Sequence, residues 1–205
     1  MKKLNLLAVI LLVTIVVSCS RNDNDYDPNV IKDENTELLE KNSVTYSSEE
    51  LKLYELIMEY RRENGLKSIP LSNSLSFVAQ SHARDLVENK PDISEDCNAH
   101  SWSNNGNWSA CCYTWDHAQA SCMWNKPREM TSYTGYGFEI AAGSSNPIYD
   151  GYIMTADYAL QSWQGSSHHN DVILNGAWWN SDWNAIGIGM YGGFATAWFG
   201  HAHDQ

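Results

Sequence analysis

From Ser47 onward the apolar positions fall at helical spacing. Leu53, Tyr54, Ile57, Met58 and Arg61 lie along one stripe. Ser47 and Glu50, three apart at the head of that run, have the pattern of a capping box. Gly65 offers a C-terminal stop, and Pro70 blocks continuation. A second helix is predicted from Ser72 or Asn73, with Leu75, Val78, Ala79, His82, Ala83 and Leu86 on one face. Between Lys90 and Tyr133 the periodicity disappears. Tyr136 to Ala142 then has the look of a strand entered through Gly135 and Gly137. A third helix is predicted from Ala156 to Trp163, and a short helical turn from His169 to Leu174. The end alternates as strands do, Ala185–Met190 and Phe194–Phe199, joined at Tyr191-Gly192-Gly193 as a hairpin. Helices first, strands later and a closing hairpin predict an α/β layer sandwich with an antiparallel sheet.

The N-terminus has a different pattern. Lys2 and Lys3 precede an apolar run from Leu4 to Val17, too short for comfortable membrane spanning, which needs about 20 residues. This is the form of an export signal. Its end, Val16-Val17-Ser18-Cys19, resembles the lipobox of bacterial lipoproteins, which implies a signal over residues 1–18 and lipidation of Cys19. Residues 19–46 read as an acidic tether: Ser20 to Asn42 is rich in Asn, Asp and Glu and cannot bury enough apolar surface to fold. The folded domain is expected over 47–205, and the location as exported, anchored to a membrane through the lipid, periplasmic or at the cell surface.

Charge and cysteines narrow the picture. The net charge of −12 excludes a nucleic-acid partner that needs basic patches and disfavours electrostatic binding to anionic lipid. Cys97, Cys111, Cys112 and Cys122 read as two disulfides in an exported chain. A vicinal Cys111–Cys112 bridge is disfavoured by strain. That leaves Cys97–Cys111 with Cys112–Cys122, or Cys97–Cys112 with Cys111–Cys122. A structural zinc site is the competing reading, weakened by the absence of paired C-x-x-C spacing.

Five stretches in order resemble the cysteine-rich secretory / antigen 5 / pathogenesis-related (CAP) superfamily. Leu75–Leu86 is similar to the second helix of bacterial members, and Cys97–Ser101 to the His-Ser element after it. Gly137-Phe138-Glu139-Ile140 is similar to the Gly-Glu-Asn strand. Ser162–Asn175 resembles the Trp, Ser and His motif, and Ile186–Met190 the Gly-rich strand. The resemblance implies an α-β-α three-layer sandwich with a central antiparallel sheet (CAP-like) and a central cleft. Trp102–Thr134 fits poorly, as part of a disulfide-containing insertion around 97–134. In many eukaryotic members two histidines and two glutamates line the cleft. Here the histidines fall on His100 and His169 and one glutamate on Glu139. The second glutamate has no match, and Ser166 stands near its place.

Two imidazoles and a carboxylate, His100, Glu139 and His169, form a reasonable site for zinc or another divalent metal, and could equally order the cleft as a hydrogen-bonded cluster. No nucleophile is evident. Ser101 would need a base and oxyanion donors. His82 reads as a core histidine with a hydrogen-bonded ring, and His117, His168, His201 and His203 as solvated. Glu129 reads as an ion-pair partner. Trp163 and Trp198 read as core. Trp178, Trp179 and Trp183 sit in a Gly/Asn-rich loop, where rings stack on sugars, bury a lipid or pack on one another. The expected role is that of a binding module for a small apolar ligand, glycan or protein partner at the His/Glu cleft. The alternative is a metal-dependent hydrolase of peptides or envelope material.

Overall fold

A computed structural model describes residues 44–205; the predicted signal over 1–18, Cys19 and the tether up to residue 43 lie outside the described residues. The last residues assigned to the tether are fastened to the domain. The Thr45 carbonyl accepts from Gln80, and the Tyr46 hydroxyl bonds Asn73 and Ser76.

Helix α1 (Ser48–Glu63) starts on the expected capping box: Ser47 accepts from the Glu50 amide, and Glu50 accepts from the Ser47 amide at 2.7 Å. Glu50 is buried because its other oxygen accepts from the Met190 amide at 3.1 Å, which ties the helix start to the sheet. The helix ends in a Schellman motif. Gly65, at φ +76°, donates to Arg62, and Leu66 donates to Arg61. The Arg61 guanidinium is buried and clamps the carbonyls of Lys67 and Ile173 and the side chain of Asn175.

Helix α2 (Asn73–Asn89) is capped by Ser72, which itself donates to Asp204 at 2.7 Å. Two short helices follow, α3 (Ala120–Trp124) and α4 (Lys126–Met130). They lie inside the stretch without periodicity, because a helix of five residues is too short to show a repeat. Strand β1 (Phe138–Ala142) begins two residues later than predicted. A 3₁₀ turn at Pro147–Tyr149 precedes α5 (Ala156–Gln164), and α6 (Ser167–Ile173) starts two residues before the predicted turn. Strands β2 (Ala185–Tyr191) and β3 (Phe194–Gly200) form the expected hairpin, closed through Gly192 at φ +50°. The sheet is antiparallel in the order β1-β3-β2. Leu71 adds a short parallel bridge on Ile186 at the outer edge of β2.

Strand alternation sorts the two faces. Ile140, Ala142, Ile186, Ile188, Ala195, Ala197 and Phe199 pack with α1, α5 and α6. Trp198 and Ala185 pack with α2 and with Trp102, Tyr113, Met123 and Tyr133 of the disulfide region. Helices therefore cover both faces, in three α-β-α layers. On the α2 face, a Cβ on Gly187 would lie 2.1 Å from the Leu75 carbonyl carbon, and one on Gly189 2.2 Å from that of Ala79. Helix α2 thus sits directly on the β2 backbone. The Ser76 hydroxyl accepts from the Ile188 amide, and Thr196 donates to the Ala79 carbonyl.

Cysteine pairing resolves to Cys97–Cys112 and Cys111–Cys122. Trp102 pairs with Cys111 in an isolated antiparallel bridge, so the insertion is ordered by cross-links and one ladder rung. Lys126 is buried, donating to Glu129 at 2.7 Å and to the Ser109 carbonyl.

Gly189→Ala forces the helix off the strand, since its clash is with backbone that cannot rotate away. A loss of about 3 kcal/mol is expected, the upper part of the range for overpacking, measured by chemical denaturation. Gly165→Ala, whose Cβ meets nothing closer than 3.5 Å, serves as the near-neutral control.

Candidate functional site

In the register of the sheet, Gly187, Trp198 and Glu139 stand opposite one another across three strands, and so point to the α2 face. The glycine admits the helix and the tryptophan fills the middle. The carboxylate at the β1 edge meets the far part of α2. There His82, fully buried, brings Nδ1 to 2.5 Å from Glu139 Oε1. Its Nε2 lies 2.8 Å from the Ser101 carbonyl. The ring stacks flat on Trp102 at 4.2 Å and meets Trp198 edge-on. Residues 98–101 form a turn inside the loop closed by the Cys97–Cys112 bridge, where the Asn98 side chain accepts from the His100 amide. His100 reaches Glu139 from the other side, Nδ1 to Oε2 at 2.8 Å.

Glu139 therefore joins two histidines. Burial pushes its carboxyl up, but the adjoining His82 and His100 outweigh this and hold it below the ordinary carboxylate range. His169, in the first turn of α6, lies close enough to feel both His100 and Glu139. Burial lowers its pKa to about 4, helped by His100 and His168 against the opposing pull of Glu139. Its Nδ1 is buried and has no protein partner. Among the described residues His100 Nε2 is also without a partner, but it is not sealed from solvent, in a side chain 19% exposed.

The three sequence-predicted residues thus lie in one neighbourhood, with Glu139 joined to His100 and His169 facing them without a direct bond. His82 is the member that sequence reasoning left in the core. Its ring is hydrogen-bonded as expected, but the partner is Glu139. The missed signal is that a histidine on a wholly apolar stripe needs a polar partner at its own depth. Ser101 is buried, and its hydroxyl accepts from the Tyr113 amide at 2.9 Å. Ser166 caps α6 by position without a side-chain bond.

Divalent-metal chemistry does not fit this trio as a three-ligand set. Both Glu139 oxygens are engaged by ring nitrogens. Among the described residues no group of three His, Cys, Asp or Glu is arranged to hold a metal ion. What remains open is a pair of imidazoles.

The aromatic loop divides. Trp183 is 4% exposed, donates to the Val172 carbonyl and stacks on His201, so its ring is not available to a ligand. Trp179 packs on Phe138 and Trp183. Trp178 projects, 92% exposed, as does Trp115 at 73%. His117 is exposed but bonded to the Tyr113 hydroxyl at 2.9 Å. Recesses of about 450, 460 and 350 Å³ open beside Lys126, Arg61 and Arg84, and none of these three is lined by His100, Glu139 or His169.

No protein-family profile matches the sequence, and no curated protein does. Solved structures do. An extracellular protein containing an SCP domain from Bacillus anthracis is similar over 78% of this chain and 45% of its own, at 17% identity and a TM-score of 0.50. An outer surface protein from Borrelia burgdorferi is similar over 76% of this chain and 95% of its own, at 17% identity and a TM-score of 0.49. A cysteine-rich secretory protein from Staphylococcus aureus is similar over 75% of this chain and 39% of its own, at 16% identity and a TM-score of 0.45. The chain thus spans less than half of two of these three. The described domain has the α/β fold of an SCP (CAP-type) domain.

The depressed pKa of His169 makes a signed prediction. The unfolded chain takes up its proton near the ordinary 6.5, the folded chain only near 4. The stability this residue contributes is complete above pH 6.5 and is lost as pH falls toward 4. The NMR titration of His169 should have its midpoint near 4, and His169→Gln should flatten stability across that interval. A midpoint near 6.5 would show the ring to be solvated.

Proposed function

We propose that this SCP-type domain is an exported binding module whose His100–His169 surface recognises a neutral, hydroxyl-bearing ligand of the glycan class. The observation that carries the reading is the buried, partnerless Nδ1 of His169, on a ring that burial keeps uncharged at neutral pH. A buried polar atom without a partner is costly, and a ligand hydroxyl would satisfy it. His100 Nε2, in a side chain 19% exposed, supplies a second nitrogen that reaches solvent. The Glu139 charge is already consumed by its two histidines, so the surface has no free anion with which to select a cation. The cavities away from the pair give an enclosed apolar ligand less support than one lying across the surface. Export is supported by the N-terminal signal pattern, the two disulfides and the extracellular character of the similar Bacillus anthracis structure. Anchoring through Cys19 is part of the proposal; palmitate labelling that persists in Cys19→Ala would remove it.

One observation favours a hydrolytic second reading. A carboxylate behind an imidazole orients that ring as a ligand or a base, and Glu139 stands so behind His100. The missing nucleophile and the saturated carboxylate weigh against it.

Both readings meet in one experiment. The chain from residue 20 onward is titrated by calorimetry at pH 7 with an N-acetylglucosamine oligosaccharide and, separately, with zinc alone. Saturable sugar binding that falls at least tenfold in the folded His100→Ala, His169→Ala variant is expected. Stoichiometric zinc binding lost in the same variant, with no sugar binding, would turn the assignment toward the hydrolase.

A further inference from the structure

The cluster contains a histidine for which the proposed binding surface has no direct use. His82 is buried beneath the helix, offers nothing to a ligand, and is still held at both nitrogens. Its hydrogen placement follows from what surrounds it. The Ser101 carbonyl only accepts, so His82 Nε2 carries a hydrogen. A single further hydrogen then lies between Nδ1 and Glu139 Oε1, whichever atom holds it. Oε2 is left as an acceptor, and among the described residues the group that meets it is His100 Nδ1. His100 must donate there, which in the neutral ring leaves the lone pair on Nε2. This tautomer is assigned from the network of partners.

We infer that His82 is a positioning residue: acting through the shared Glu139 carboxylate, it fixes His100 in the tautomer that presents an unprotonated Nε2 to solvent. This deepens the proposed binding role but rests on the hydrogen-bond geometry alone. Without His82, Oε1 loses its partner inside the protein. A buried carboxyl so exposed to desolvation takes up a proton. It can then turn its hydroxyl toward His100 Nδ1, and that nitrogen becomes the acceptor. The hydrogen moves to His100 Nε2, and the outward face changes from acceptor to donor. Trp102 assists by stacking on the His82 ring at 4.2 Å, which stops the ring from rotating away from the carboxylate.

The test reads the tautomer directly. In the chain from residue 20 onward, the nitrogen shifts of the His100 ring are measured at pH 7.5 in wild type, His82→Phe and His82→Gln. Phenylalanine keeps the stack on Trp102 and removes both donors; glutamine keeps one donor for Glu139. Wild type should show hydrogen on Nδ1 and a bare Nε2. His82→Phe should move the hydrogen to Nε2, and His82→Gln should restore the wild-type pattern. Acylation of His100 by diethyl pyrocarbonate, which needs a bare nitrogen within reach, should slow at least tenfold in His82→Phe and recover in His82→Gln. A wild-type His100 with hydrogen on Nε2 overturns the inference. So does a folded His82→Phe with an unchanged His100. Should His82→Phe fail to fold, the wild-type and His82→Gln spectra still decide. The predicted tautomers without any sugar binding would leave this inference standing and remove only the glycan reading.

Discussion

Much of the domain depends on the close approach of α2 to β2. With no side chains at Gly187 and Gly189, the helix backbone lies on the strand backbone. Side chains that would otherwise hold helix and sheet apart are replaced by two hydrogen bonds, one that Ser76 accepts from the Ile188 amide and one that Thr196 donates to the Ala79 carbonyl. The same approach sets the depth of His82. A helix raised by one methyl layer would lift that ring away from the carboxylate at the β1 edge and from the Trp102 face. Packing at one end of α2 thus decides the electrostatics at the other.

Glu139 shows how the disulfide region enters the same arrangement. His82 comes from the helix and Glu139 from the sheet, but His100 comes from the turn that the Cys97–Cys112 bridge holds in place. The Trp102–Cys111 rung and the Cys111–Cys122 bridge secure the wall behind it. Three elements from separate parts of the chain contribute one polar group each. A buried carboxylate is tolerated only when its lone pairs are met. It follows that the packing of each element is conditioned on the other two.

What the sequence made legible follows the range of each signal. The capping box at Ser47, the Gly65 stop and the Gly192 turn are local geometries written in adjacent residues, and the structure has each of them. The α/β layer sandwich with an antiparallel sheet follows from periodicity and element order, while the α-β-α layering was implied by the family resemblance. The helices α3 and α4 were not legible, because five residues carry no period. Cysteine pairing was left open between two frameworks, because spacing does not say which Cβ atoms face each other. In the aromatic loop, composition could not separate the exposed Trp178 from the buried Trp183, since both occupy equally polar surroundings in sequence. At the site, His100, Glu139 and His169 were found as a neighbourhood through resemblance. The role of His82 was not, since a stripe of apolar residues hides what its one polar member needs.

The missing second carboxylate changes what such a site can do. A second acid beside the histidines would offer either a free ligand oxygen or a proton donor. Here the position near Ser166 supplies neither, and the one carboxylate present is spent between two rings. With Glu139 shared and burial holding His169 uncharged at neutral pH, the groups left for the proposed binding role are ring nitrogens, that of His100 in a side chain 19% exposed. Such groups discriminate by geometry and by donor against acceptor, the discrimination that hydroxyl-rich ligands require. On that reading, a chain carrying a formal charge of −12 presents ring nitrogens rather than a free carboxylate at this one place. Its long-range field and its short-range recognition are set by different residues: the surface acids repel anions at a distance, while the orientation of His100 and His169 sets what can be held at contact.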